Sequence, residues 1–160
     1  MTDILYTPLK NSDSEDFFTL AGDERVAATM RFDCPKNKEE SDEVLKYYLS
    51  EENLSFAIRS ESHGQMWGVF AFKGSENKDT ASLSLMLLPS MWGQGLGTRI
   101  IEDMADLAKK EKLYKALEGN ILEGNTASRK MAERNGFKEY KRNRYPGMKE
   151  DLITYRLEIL

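Results

Sequence analysis

Three glycines at alternate positions, Gly93, Gly95 and Gly97 in "MWGQGLGT", separate an apolar run from an amphipathic one. Glycine in regular structure carries an entropic cost, so a cluster of it implies that bare backbone is wanted there. From the glycines onward the chain reads as a helix. Leu96, Ile100, Ile101, Met104, Leu107 and Ala108 fall on one face at a period of about 3.6, while Arg99, Glu102, Asp103 and Lys109 fall mostly elsewhere. A helix opens with N–H groups that lack an internal partner, and its dipole favours negative charge at that end. Removing side chains from the preceding turn lets a phosphate approach those groups. The chemistry on offer is anion binding by backbone, most naturally of a coenzyme's pyrophosphate. The plainer alternative is a tight strand-to-helix turn in which glycine only relieves crowding.

Two phosphate-binding patterns do not fit. A P-loop ends in Gly-Lys-Ser/Thr, whereas Gly97 is followed by Thr98 and Arg99. A dinucleotide fingerprint is G-x-G-x-x-G early in a parallel unit. Here the spacing is G-x-G-x-G, placed late and after strands that read as antiparallel.

The elements that must position this loop are legible on both sides of it. "DILYTPL" reads as a first strand, and "SDSEDFFTLAG" as a helix with acidic, cap-forming residues ahead of Phe17, Phe18 and Leu20 and a stop at Gly22. "EESDEVLKYYLSE" carries Val44, Leu45, Tyr48 and Leu49 at helical spacing, and helical signals extend over Ser14 to Leu49. "LSFAIRS" and "QMWGVFAFK" favour strands around the turn "ESHG", which leaves His63 an exposed turn residue. "SENKD" turns the chain into "TASLSLMLL", completing three antiparallel strands. Beyond the glycine helix, "YKALEGNIL" reads as a strand and "NTASRKMAERNGF" as a short helix, with Asn125 as N-cap and Gly136 as the left-handed residue after its end. "DLITYRLEIL" alternates, with Ile153, Tyr155, Leu157 and Ile159 on one face. As the last strand it either finishes the sheet or pairs across a dimer.

Composition sets the outer bounds. At 160 residues, with 40% apolar and 31% charged, the chain fits one globular α/β domain spanning 1–160. No apolar run approaches the roughly 18–20 residues of a membrane span. "MTDILYTPLKNSDSED" has neither the basic nor the apolar part of a signal peptide. The single cysteine, Cys34, has no internal partner for a disulfide, and a reducing, cytoplasmic setting is expected. A net charge of −4 argues against nucleic acid as a partner and suits a cationic one such as an amine.

The glycine loop resembles the acetyl-CoA-binding signature of the GNAT superfamily of N-acetyltransferases, Gln/Arg-x-x-Gly-x-Gly/Ala. Trp92 stands at the Gln/Arg position, and Gly95 and Gly97 match the two small ones. "EGNTASRKMAERNGF" resembles a second signature, Asn-x-x-Ser followed by a terminal Gly-Phe, of the Rim-like (ribosomal-protein alanine N-acetyltransferase) branch. Asn125, Ser128, Gly136 and Phe137 all match it. "YTPLKNSDSEDFFTLAGDERVAATM" is similar to that branch more loosely, so the resemblance covers nearly the whole chain.

The resemblance implies a mixed, mostly antiparallel central sheet, flanked by helices and splayed between its fourth and fifth strands. It implies transfer of an acetyl group from acetyl-CoA to a primary amine, a small molecule or a peptide N-terminus, by direct attack in a ternary complex. No metal and no membrane are called for, in a monomer or homodimer. The pantetheine arm is implied along Met86, Leu87 and Leu88. The pyrophosphate is implied on the backbone of Gln94, Gly95, Leu96, Gly97 and Thr98, within a loop that Trp92 and Gly93 begin.

Chemically, the transfer needs a polarised carbonyl, a neutral amine and a stabilised thiolate. A backbone N–H near Leu88 would polarise the carbonyl. A hydroxyl would serve the thiolate, since thiols ionise at a pKa of roughly 8–10. By the resemblance Ser128 is that hydroxyl and Asn125 a coenzyme ligand; their plain alternatives are a small helical residue and an N-cap. Tyr140 is a second candidate acid, or an outward strand residue. Many relatives carry a carboxylate early in the fourth strand, where this chain has Ser82. Glu118 is the best remaining carboxylate for a base, unless it is simply solvated and water relays the proton. Arg99, Arg129, Lys130 and Arg134 include candidates for the coenzyme's 3′-phosphate, or form a solvated helix face. A non-catalytic CoA- or peptide-binding module is the competing reading that Ser82 keeps open, and a longer acyl chain would suit the same loop.

Overall fold

The periodicities resolve, in a computed structural model that describes residues 3–30, 32–61 and 64–159, into alternating strands and helices. In chain order these are β1 (Ile4–Pro8), α1 (Ser14–Ala21), α2 (Glu24–Met30), α3 (Lys38–Tyr48), β2 (Leu54–Ser60), β3 (Met66–Gly74) and β4 (Thr80–Leu87). Then come α4 (Leu96–Lys110), β5 (Ala116–Leu122), α5 (Thr126–Arg134), β6 (Lys138–Asn143) and β7 (Leu152–Glu158). The strands form one seven-stranded sheet in the order β1-β2-β3-β4-β5-β7-β6. It is mostly antiparallel, with β4 and β5 parallel, which requires the crossover that α4 supplies. His63 lies outside the described residues. Among the described residues no helix is long and apolar enough to cross a membrane.

The chain divides into two compact units, each built from two segments. The first comprises Met1–Lys73 with Ser84–Gln94. In it β1 pairs with β2 from Ile4–Ser60 to Pro8–Phe56, and β2 pairs with β3. Its core gathers Phe17 and Leu20 of α1, Leu45 and Tyr48 of α3, Val69 of β3 and Met86 of β4, all buried. Asn37 caps α3 by accepting from the Glu40 N–H at 2.9 Å. The helical signals from Ser14 to Leu49 resolve into three helices. Asp23, accepting from the Arg25 N–H at 2.9 Å, opens α2, which sequence reading did not separate.

The end of β4 is held closely in this unit. Leu88 N–H donates to the Trp67 carbonyl of β3 at 2.8 Å. A Cβ on Gly68 would lie 2.1 Å from the Met86 carbonyl oxygen, so only glycine lets β3 approach β4 there. From α3, Tyr48 shares a buried hydrogen bond with Ser84 Oγ at 3.1 Å. Burial pushes the Tyr48 phenol above its ordinary pKa, so the hydroxyl stays protonated.

The second unit comprises Gly74–Leu83 with Gly95–Leu160. Here β4 pairs with β5 through Thr80–Ala116, Ala81–Leu117 and Ser82–Glu118. Strand β7 pairs with β5 on one edge and with β6 on the other. The alternating last strand therefore neither ends the sheet nor offers a free edge for a dimer partner, because β6 lies outside it. The alternation itself also differs: Ile153 and Tyr155 are buried, but so is Thr154, whose hydroxyl donates to Asn120 Oδ1 at 2.8 Å. Helix α4 buries Leu96, Ile100, Ile101, Met104, Ala105 and Ala108 and ends on Lys109 and Lys110, where its dipole favours cations.

Gly68→Ala places its Cβ against backbone rather than a flexible side chain, and overpacking of that kind costs about 1–3 kcal/mol. Gly119→Ala in β5 meets nothing within 4 Å and serves as the comparison. Denaturant midpoints should fall clearly for the first variant and hardly move for the second.

Candidate functional site

Parity along β4 decides which backbone groups of the strand face away from β3. Leu88 N–H and the Met86 carbonyl both face β3, so Leu87, between them, turns its N–H and C=O to the opposite edge. Beyond Leu87 a single 3₁₀ turn, Pro89–Met91, folds the loop back, with Met91 N–H on the Leu88 carbonyl at 2.8 Å. The turn delivers the Trp92 indole, whose Nε1–H donates to the Leu87 carbonyl at 3.0 Å. Gln94 Nε2 donates to the Ser90 carbonyl at 2.9 Å and closes the loop. Of the polar pair that Leu87 presents, the acceptor is taken by Trp92 and the N–H is the remaining donor. Near Leu88, the N–H that faces away from β3 is that of Leu87, since Leu88's own is bonded to Trp67.

Gly93 and Gly95 have φ of +73° and +75°, and nothing lies within 4 Å of a Cβ built on either. Both conformations favour glycine, and open space faces both residues. Gly95 is the N-cap of α4 and, being glycine, offers no side-chain cap there. The first bond inside the helix runs from Arg99 N–H to the Gly95 carbonyl at 3.2 Å, so the N–H groups of Leu96, Gly97 and Thr98 precede it. The Asn135 amide donates to the Thr98 carbonyl at 3.3 Å and ties this first turn to the end of α5.

Asn125 and Ser128 sit together at the start of α5. Asn125 Oδ1 accepts from Ser128 N–H at 3.2 Å, so Asn125 is the N-cap and its Nδ2 is the donor end left over. Both residues are half-buried. The helix closes in a Schellman arrangement, with Gly136 N–H on the Glu133 carbonyl and Phe137 N–H on the Ala132 carbonyl, each at 3.0 Å, and Gly136 at φ +84°.

The other two candidates meet at one arginine. Arg156 Nη1 donates to Glu118 Oε2 at 2.8 Å and its Nε to Glu158 at 2.6 Å; these bonds, the Glu158 one first, raise the guanidinium above its ordinary pKa. The Tyr140 ring lies 5.0 Å from the same guanidinium and is 59% exposed. Glu118 is thus not a solvated surface carboxylate but a half-buried partner of arginine.

Residues 3–138 match the acetyltransferase (GNAT) domain family. The chain belongs to the GNAT family. No curated protein sequence matches it. Among solved structures, spermidine N-acetyltransferase from Vibrio cholerae, in complex with CoA and spermine, is similar at 12% identity. That likeness covers 97% of this chain and 95% of that one, with a TM-score of 0.83. RimL, a ribosomal L7/L12 α-N-protein acetyltransferase in complex with coenzyme A, is similar at 18% identity over 99% and 96% of the two chains, with a TM-score of 0.84. A GNAT-family acetyltransferase from Bacillus anthracis gives 14% identity, 99% and 97% coverage and a TM-score of 0.84. At such identities these likenesses are of fold.

Within this GNAT fold, Arg129 is not a loose cation. Its Nε donates to the Tyr155 hydroxyl and its Nη1 to the Glu123 carbonyl, both at 3.0 Å, which leaves Lys130 and Arg134 as the exposed cations of α5. Among the described residues no group of three or more His, Cys, Asp or Glu is placed to hold a metal. Sequence reading missed Arg156, Asn135 and the Trp92–Leu87 bond. The Asn before Gly136 was a signal for Asn135; the other two depend on strand register, which no local spacing encodes.

Cap and ligand roles of Asn125 separate by substitution. Asn125→Ala should cost about 1 kcal/mol of stability. Asn125→Asp keeps the accepting oxygen, so its melting temperature should stay near wild type. If Nδ2 contacts the coenzyme, the Asp variant should nevertheless bind acetyl-CoA several-fold more weakly in calorimetry.

Proposed function

We propose that this GNAT protein is an N-acetyltransferase that moves an acetyl group from acetyl-CoA to a primary amine by direct attack in a ternary complex. The observation that carries the reading is the uncapped start of α4 behind two side-chain-free, left-handed glycines, on the same loop as the outward Leu87 N–H. The N–H groups of Gln94 to Thr98 hold the pyrophosphate, in a loop opened by Trp92 and Gly93. The arm runs along Met86 to Leu88. Leu87 N–H polarises the thioester carbonyl as it becomes tetrahedral. The neutral amine attacks that carbon, the C–S bond breaks, and the departing thiolate is held by a hydrogen bond from Ser128 Oγ or, as second choice, protonated by Tyr140, which regains its proton from solvent. The nitrogen loses its proton to water, because Glu118, the candidate carboxylate, has an oxygen engaged by Arg156. For Glu118 to act as base, that ion pair must open.

The acceptor is best read as a cationic amine. A net charge of −4 suits it, and the similar structures carry spermine in one case and are named for a ribosomal protein N-terminus in the other. The Asn125/Ser128 pair and terminal Gly136-Phe137 favour the Rim-like branch. Cys34 as a free thiol suits a cytoplasmic setting. Ser82 in β4 and the pairing of Glu118 favour one alternative, a module that binds the coenzyme without turning it over.

Release of CoA thiol, measured with spermine and with a short peptide bearing a free N-terminus, separates the two. An enzyme should release thiol in proportion to amine. Ser128→Ala should then lower kcat by roughly 10²-fold, the scale of a lost hydrogen-bond donor to developing negative charge. Tight binding without thiol release would leave the module.

A further inference from the structure

We infer that Trp92 is a positioning residue that sets the register in which the coenzyme arm pairs with β4; this rests on the acetyl-CoA reading. Three observations lead there. Leu87 presents its N–H and C=O to the edge of β4 that faces away from β3, because Leu88 N–H and the Met86 carbonyl are both turned toward β3. β5 pairs with β4 from Thr80 to Ser82, which leaves Leu87 beyond that ladder. At that edge the Leu87 carbonyl already accepts from the Trp92 indole at 3.0 Å, with the indole carried there by the 3₁₀ turn and Trp92 42% exposed.

An extended, amide-bearing arm laid along a strand edge has more than one register. At each outward residue it can use the N–H, the C=O or both, and successive outward residues are two apart. Trp92 removes one of these options at the end of the strand. With the indole seated on its carbonyl, one of the two lone pairs there is taken, so Leu87 meets the arm chiefly through its N–H and an oxygen of the arm is favoured at this point. The oxygen that needs a donor during acetyl transfer is the thioester carbonyl. The indole thereby disfavours the shifted register, in which an amide N–H of the arm bonds the Leu87 carbonyl and the thioester misses the Leu87 N–H. A phenyl ring would keep the bulk without the donor; a glutamine would keep a donor without the ring.

Leucine and glycine amides of the full-length chain, ¹⁵N-labelled, report this without any acceptor. On saturation with acetyl-CoA, the wild-type amides of Gly95, Gly97 and Leu87 should all shift. In Trp92→Phe the two glycine amides should shift as in wild type, while the Leu87 response falls by more than half. Trp92→Gln should restore it. An undiminished Leu87 response in Trp92→Phe, or a Gln variant that behaves like the Phe variant, would overturn the inference and leave the acetyl-CoA reading intact. Glycine amides that do not respond in wild type would overturn both.

Discussion

Helix α4 begins on backbone N–H groups whose N-cap, Gly95, has no side chain to close them, and much of the surrounding architecture bears on that loop. A helix start left in this condition is ordinarily closed by a Ser, Thr, Asp or Asn. Here the N-cap is Gly95, in a left-handed conformation, with Gly93 in the same state two residues earlier. The same chain caps α3 and α5 through Asn37 and Asn125, whereas Asp13 at the start of α1 makes no side-chain cap bond.

The second dependence is on the end of β4. A strand that leaves its parallel partner after Ser82 needs other support if its last groups are to hold still. Gly68 lets β3 come close, Leu88 bonds to Trp67, and Tyr48 reaches Ser84 through the core of the first unit. The 3₁₀ turn and Trp92 close the loop against the final carbonyl. The last groups of β4, with Leu87 among them, are therefore braced within the first unit.

Local letters carried much of this, and register carried the rest. The α4 period, the glycine loop before it, the Asn125 cap and the left-handed Gly136 with Phe137 are statements about residues within one turn of each other, and each was legible. Strand β6 was not fully so: Lys138–Asn143 is exposed on both faces as the outermost strand, so it has no alternation to read. Helix α2 is a single short segment between stronger neighbours. The Glu118–Arg156 pair joins residues 38 apart across the β5–β7 ladder, and spacing says nothing about which side chains a ladder will bring together. Trp92 was legible as a departure from the Gln/Arg of the family signature. Its partner became visible only with the parity of β4.

The central claim is that the backbone from Gln94 to Thr98 recognises a pyrophosphate. Calorimetric titration with acetyl-CoA and with S-acetylpantetheine, which has the same thioester and arm but no nucleotide end, tests it most directly. Charge-assisted bonds of about 1.5–3 kcal/mol each should make acetyl-CoA bind about a hundredfold or more tightly than its truncated counterpart. Equal affinities would mean that the arm alone is recognised and that the glycine loop is a turn and nothing more.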